Sequence, residues 1–204
     1  MEEIIDKLIK NQELEIAVLP VQSNGSNIHF AAYKSTIESL LPFLSSIKQS
    51  ENLCFTVLTD LFAADFLDRL KRFEVVYNLL SLKLNKRILV KVEVGENDII
   101  PSITKIFSAA CWYEREVYDM FGVNFAGSHD IRRILTDYDF VGHPLRKDFP
   151  LTGYVQVKYD ETLAKVVYEP VKLDQPYREF DFSSSWKGAS YILPGDEKAN
   201  KHTI

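Results

Sequence analysis

Three short stretches hold the side chains best suited to binding or catalysis. Residues 112–123 read WYEREVYDMFGV and carry Glu114, Arg115, Glu116 and Asp119. On a helix Arg115 and Asp119 stand four apart and can pair, while Glu114 lies over Tyr118; such a pair adds only a few tenths of a kcal/mol on an exposed face, about 0.2–0.5. The sharper reading is that these four residues bind the arginines of the next stretch or of a partner. That stretch, SHDIRRILTDYDF, sets Arg132 beside Arg133 among Asp130, Asp137 and Asp139. Acids this dense make a poor phosphate site, so the planar arginine forks are expected in ion pairs, within the chain or across an interface. The third, HPLRKDFPL at 143–151, fits neither a helical nor a strand period. A catalytic loop, an anion site and a surface shaped for another protein are the three readings open to it. The catalytic one makes His143 a general base oriented by Asp148. Against it, Pro144 stiffens the backbone beside the histidine, and no nucleophile or metal ligand is close in sequence.

Other chemistry has no foothold. The chain contains no GxGxxG and no GxxxxGK[ST], so no nucleotide phosphate cradle can be read. Cys54 and Cys111 lie far apart and cannot supply the four thiolates of an ordinary iron–sulfur cluster. No HExxH or similar histidine pair is present. His29 alternates within an expected strand, His129 stands alone in its stretch, and His202 lies near the end.

These stretches must be positioned by the elements around them. Ile4, Ile5, Leu8 and Ile9 recur at helical spacing and predict a short amphipathic first helix. ELEIAVLPV and IHFAAYK read as strands joined through SNGSN. Ser35 with Glu38 forms a capping box for TIESLLPFLSSIKQ, whose Ile37, Leu40, Leu41, Leu44 and Ile47 share a face; Pro42 should bend that helix or begin a second. NLCFTVLTD is a compact strand, and FEVVYNLLSL with RILVKVEV makes the clearest hairpin, across KLNK. Ser102 is the expected N-cap of a helix over 103–121 and Gly122 its C′ residue. Beyond Asn124 the helical period is lost. TGYVQVKYD can pair with AKVVYEP across DETL, and Tyr177, Phe180, Phe182, Trp186 and Tyr191 are strung along irregular sequence. The expected fold is α+β, helices packed on a mixed or antiparallel sheet, followed by a long, largely irregular C-terminal arm. The expected division is an α+β domain at 1–123 and a motif-bearing segment with an interface arm at 124–204. An arm without its own core must borrow surface, and aromatics interleaved with charge suit a partner's.

Composition narrows the classes. With 204 residues, 46% of them apolar and 26% charged, the chain can bury one good core. A net charge of −5 argues against general nucleic-acid binding. The acidic, helical start resembles no secretory signal, and no apolar run approaches the ~20 residues of a membrane span. Free thiols in a reducing compartment are expected.

In this order and spacing, EREVYDMFGV, RRILTDY and GHPLRKDFPLTGY resemble a family of respiratory complex I, the 30-kilodalton or C subunit of NADH:quinone oxidoreductase. The likeness runs from RFEVVYNLLSL to YREFDFSSSW. One departure is visible: Gly127-Ser128-His129-Asp130 stands where the family reads G-H-P-D. The resemblance implies a peripheral-arm subunit with no catalytic residue and no bound metal or cofactor of its own. NADH, FMN, iron–sulfur clusters and quinone are held by other subunits. It implies packing on the 49-kilodalton subunit and neighbouring iron–sulfur subunits near the quinone module. Attachment to the membrane would be only through them, on the cytoplasmic face of a bacterial inner membrane or the matrix face of a mitochondrial one. Glu114, Arg115, Glu116, Asp119, Arg132, Arg133, Asp137, Tyr138, His143, Pro144, Arg146, Lys147, Asp148, Phe149 and Tyr154 are then partner-interface or family-motif residues. Pro144 and Pro150 would limit the loop's freedom before binding, and its charges would fix orientation. The rivals are the equivalent subunit of a membrane hydrogenase or ferredoxin-driven quinone reductase, a stand-alone His/Asp enzyme, and an arginine-based RNA binder.

Overall fold

Alternating apolar residues along four central segments build the sheet on which the rest is mounted. The computed structural model describes residues 1–19 and 31–175. Its elements run α1 (Glu2–Asn11), β1 (Ile16–Leu19), β2 (Ala31–Ser35), α2 (Ile37–Gln49), β3 (Val57–Asp65), β4 (Phe73–Ser81), β5 (Lys86–Val94), β6 (Ile99–Pro101), α3 (Ala110–Phe121), β7 (Asn124–Ala126), β8 (Val155–Asp160) and β9 (Lys165–Pro170). The main sheet has the order β1-β2-β5-β4-β3. It is mixed: β2 runs parallel to β5, and the other neighbours are antiparallel. The α+β class expected from sequence is the fold observed.

One face of this sheet carries the core. Tyr33, Val75, Tyr77, Leu79, Ile88, Val90 and Val92 point inward at every second position and join a single cluster. Against them pack Ile5 of α1, Leu40, Phe43, Leu44 and Ile47 of α2, and Ala110 and Val117 of α3. Pro42 does not divide its helix. The proline costs about 3 kcal/mol through a missing amide, but the four buried side chains of α2 each return roughly 1.5–3 kcal/mol. The N-cap is Thr36, which accepts from the Ser39 amide at 3.3 Å, rather than Ser35, which belongs to β2.

Two further boundaries differ from expectation. β3 starts at Val57, later than expected, because Leu53 and Phe55 are buried as loop residues and Cys54 has a positive φ of 48°. α3 starts at Ala110 and not after Ser102. The short strand β6 pairs in parallel with β7, and the Ser102 amide extends that pairing to Ala126 O at 2.8 Å; the Ser102 hydroxyl accepts from the Thr104 amide at 3.2 Å, but it caps only turns, not α3. Ile103 and Phe107 still reach the core from turns.

The chain divides into two compact units, the first ending at Gly153 and the second beginning at Tyr154. The break therefore does not fall after residue 123, because residues 124–153 are bonded back onto α3 and β3. In the second unit β8 and β9 form the expected hairpin, in register from Val155↔Pro170 to Asp160↔Lys165. Residues 176–204, with Tyr177, Phe180, Phe182, Trp186, Tyr191 and His202, lie outside the described residues, as do SNGSN and His29. No helix among the described residues is long and apolar enough to cross a membrane.

Phe43, fully buried on α2, should be among the costliest truncations in the chain. Phe43→Ala is expected to lose about 3–5 kcal/mol in denaturant unfolding. Phe62→Ala, on the edge strand β3 and 44% exposed, should lose less than about 1 kcal/mol.

Candidate functional site

The three motif stretches converge on α3. A helix ends with four carbonyls that lack intrahelical donors, and at α3 every one of them is satisfied. Tyr118 O accepts from the Gly122 amide at 2.8 Å and Met120 O from the Leu145 amide at 3.1 Å. Asp119 O lies 2.9 Å from His143 Nδ1, and Phe121 O accepts from Arg146 Nε at 2.6 Å. The segment 143–146 is thus the C-terminal cap of α3. Gly122 permits this: its φ is +77°, and a Cβ there would stand 2.6 Å from both Arg146 Nη2 and His143 Nε2.

The carboxylate of Asp119, also fully buried, organises the middle stretch. Its Oδ2 accepts from the amides of Ile134, Leu135 and Thr136 at 2.9, 2.7 and 2.9 Å. Its Oδ1 takes the Thr136 hydroxyl and Arg133 Nη1 at 2.8 Å. Burial alone would raise its pKa. The Thr136 hydroxyl and amide, the Arg133 guanidinium and the Ile134 amide more than offset that and hold it well below the usual carboxylate range. Arg133 also donates to Gly142 O at 3.0 Å, closing the loop between the two stretches. Arg115 does not pair with Asp119 as helical spacing suggested. It reaches the carbonyls of Arg132 and Arg133 at 2.9 and 3.1 Å, because Asp119 is already saturated by the loop.

A second anchor holds the far end of HPLRKDFPL. Arg72, at the entry to β4, donates to both carboxylate oxygens of Asp65, at 2.6 and 2.8 Å. The same guanidinium holds Asp148 at 2.6 Å and Glu96 at 2.6 Å. The Lys147 amide adds a bond to Asp65 Oδ2 at 2.7 Å. The Arg72 hydrogen bond is the main reason Asp65 and Asp148 both titrate below the ordinary aspartate range. Sequence reading missed Arg72, Asp65 and Glu96. Arg72 and Asp148 are 76 residues apart, so no local spacing could announce them.

His143 and Asp148 consequently serve different partners, and the dyad of the catalytic reading is not assembled. Asp119 O can only accept, so His143 Nδ1 carries the proton. Burial pushes the imidazole pKa down; the Asp119 carbonyl opposes this, and Arg146 and Arg133 reinforce it, so the ring is neutral at neutral pH. Among the described residues no group of three or more His, Cys, Asp or Glu is placed to hold a metal ion.

The remaining motif residues face outward. Glu116, Asp137, Tyr138 and Lys147 are exposed, Pro144 is half-buried, and Phe149 packs on Phe140 with ring centres 5.8 Å apart. Arg132 stays at the surface in a bidentate contact with Asp130. Trp112, Leu135, Val141, Leu145 and Leu151 are each more than half exposed.

The β8–β9 ribbon of the second unit is more polarised. Cross-strand partners share a face, so Val155, Pro170, Val157, Tyr168, Tyr159 and Val166 lie together. All six are exposed, and Tyr154 precedes them at 65%. The opposite face carries Gln156, Glu169, Lys158, Val167, Asp160 and Lys165.

Loss of the Asp119 carboxylate should be severe. Asp119→Asn is expected to cost about 3–5 kcal/mol at neutral pH, since it leaves half-buried Arg133 and the loop amides without their buried carboxylate. The native carboxyl titrates below its unfolded value of 3.8, so its contribution is complete above that value and is lost as pH falls through and below it. Wild type and variant should therefore converge in acid, as urea titrations at several pH values would show. Gly122→Ala should lose at least about 1–2 kcal/mol from the left-handed backbone alone, with weakened capping by His143 and Arg146 seen in their side-chain NMR shifts.

Comparison with known proteins gives this interlock a family. Residues 34–155 match the model of the respiratory-chain NADH dehydrogenase 30 Kd subunit. The C subunit of NADH-quinone oxidoreductase from Rickettsia typhi is 62% identical over 201 residues, covering 98% of this chain and 99% of the relative. That of Azorhizobium caulinodans is 52% identical over 167 residues, covering 82% and 79%. Among solved structures, a chain of the membrane-bound sulfane sulfur reductase, an archaeal respiratory membrane complex, superposes with a TM-score of 0.60 at 25% identity, covering 74% of this chain and 85% of that one. With the motif order, the fold and near full-length similarity in agreement, the chain belongs to the family of the 30-kilodalton subunit of respiratory-chain NADH dehydrogenase, the C subunit of NADH-quinone oxidoreductase.

Proposed function

We propose that the chain is a structural subunit of the peripheral arm of a proton-translocating NADH:quinone oxidoreductase. It packs on the 49-kilodalton subunit beside the quinone module and supports electron transfer from NADH to quinone without carrying a redox group. It meets the cytoplasmic face of a bacterial inner membrane only through its partners. The observation that carries this reading is the fate of the motif charges: Arg115, Asp119, Arg133, His143, Arg146 and Asp148 all serve hydrogen bonds within the chain. Side chains committed in this way shape a surface, and the His143–Asp148 pair that a catalytic reading needs is not formed. Apolar residues exposed on the surface so shaped, and on the ribbon, supply the anchors an assembly needs.

The same fold occurs in the archaeal sulfane sulfur reductase, so the sister-machine reading is the competitor that the experiment must separate. The tagged chain, pulled from mildly solubilised membranes, should bring down iron–sulfur subunits and oxidise NADH with a quinone analogue. A lone protein, or a complex with hydrogenase or sulfur-reductase activity alone, would contradict the proposal. Within the working complex, Val157→Lys together with Tyr159→Lys on the apolar face of the ribbon should reduce incorporation roughly tenfold. Lys158→Ala on the opposite face should change it little. Arg132→Ala should affect assembly more than the melting of the free chain, whereas Arg133→Ala should unfold the loop itself.

A further inference from the structure

One acid of the first motif takes no part in the interlock. Glu114, in α3, is 1% exposed. Its Oε1 accepts from the Ile103 amide at 2.8 Å. Its Oε2 is buried with no hydrogen-bond partner. Among the described residues no cation pairs with it: the neighbouring Arg115 is turned to the carbonyls of Arg132 and Arg133 and to Asp130.

The groups that face Glu114 are hydroxyls. From β4 comes Tyr77, whose own hydroxyl is buried and lacks a partner. From the turn after β6 comes Ser102, and from the chain leaving β7 comes Ser128. Both serines lie beside the carboxyl without a hydrogen bond of ordinary geometry to Oε2. Ser102 Oγ already meets Thr104 Oγ1 at 2.8 Å, while Ser128 Oγ has only a long contact of 3.5 Å to Asp130 O.

An ionised carboxylate here would be stripped of water with no cation beside it to offset the loss. A single amide donor compensates only in part, and the helix dipole acts mainly within the first turn of α3, before Glu114. The neutral acid has no such deficit, and it gains a donor where the carboxylate has none. Burial accordingly pushes this carboxyl above the ordinary glutamate range, against the partial pull of the Ile103 amide and the two serines.

We propose that Glu114 is a buried proton-binding site: at neutral pH it is a carboxylic acid whose Oε2–H is donated to the Ser102/Ser128 hydroxyl pair while Oε1 accepts from Ile103. The proton thereby ties α3 to the ends of β6 and β7. Ionisation would leave the Ile103 bond and reverse the other, a serine hydroxyl then donating to a buried, uncompensated charge.

Carbon-13 labelling of the glutamate side chains in the full chain reads this directly. The Glu114 carboxyl carbon, assigned through its own backbone resonances, should show the protonated shift at pH 7 while exposed glutamates show the ionised one. That single resonance should vanish in Glu114→Gln. A Glu114 carbon that titrates with the exposed glutamates would overturn the assignment. Stability gives a second readout. A carboxyl raised in the folded state contributes fully below its unfolded value, and that contribution is lost as pH rises through the folded one. Glu114→Gln should abolish this alkaline loss; an unchanged pH profile would contradict the proposal. If the Gln variant fails to fold, the wild-type titration still decides. Both readouts use the chain alone, so their outcome is independent of its assembly.

Discussion

A carboxylate buried at the negative end of a helix is the constraint from which the rest of the architecture follows. Asp119 lies in the last turn of α3, where the helix dipole disfavours negative charge. With its side chain fully buried, no water offsets that. It persists because three consecutive amides, a hydroxyl and a guanidinium close on it. Three consecutive amides can converge on one oxygen only if residues 134–136 turn tightly around it. The loop's shape is therefore set by the charge. The same turn of helix exposes carbonyls that attract donors, and His143, Leu145 and Arg146 answer them. One end of one helix thus fixes two stretches of irregular chain that have no secondary structure of their own.

Arg72 performs the complementary task from the sheet. A buried ion pair seldom adds net stability, since desolvation consumes most of the Coulombic gain. What the Asp65–Arg72–Asp148 arrangement supplies is position: a loop otherwise held only at α3 is also pinned to β3 and β4. Two separated anchors stop the 143–149 segment from rotating about either one. Held at both ends, the segment is preformed, and a partner docking there would have less ordering entropy to overcome.

Much of this was legible in the residues, and the failures have a common cause. The β4–β5 and β8–β9 hairpins announced themselves by period-two alternation around polar turns, and Gly122 by its place after a helical stripe. Local rules misled where distant partners outbid them. Helical spacing offered Arg115 to Asp119, but a fully buried carboxylate took five donors from a loop 14 to 17 residues away, and Arg115 found that loop's carbonyls instead. Ser102 has the chemistry of an N-cap and accepts from the Thr104 amide, yet only turns follow it before α3 begins at Ala110. Arg72 reads as an ordinary charge before a strand, since nothing near it in sequence shows what it holds. The motifs were read as interface residues, and the structure shows most of their charges committed to hydrogen bonds within the chain.

The most direct test of this account is native-state hydrogen exchange of the full chain at the amides of Ile134, Leu135, Thr136 and Leu145. None belongs to a helix or strand, so in an ordinary surface loop all four would exchange quickly. If Asp119 and the end of α3 hold the loop as described, all four exchange slowly and open together with the α3 amides. Fast exchange at these positions beside a protected α3 would mean that the loop is not locked to the helix, and the central claim would fall.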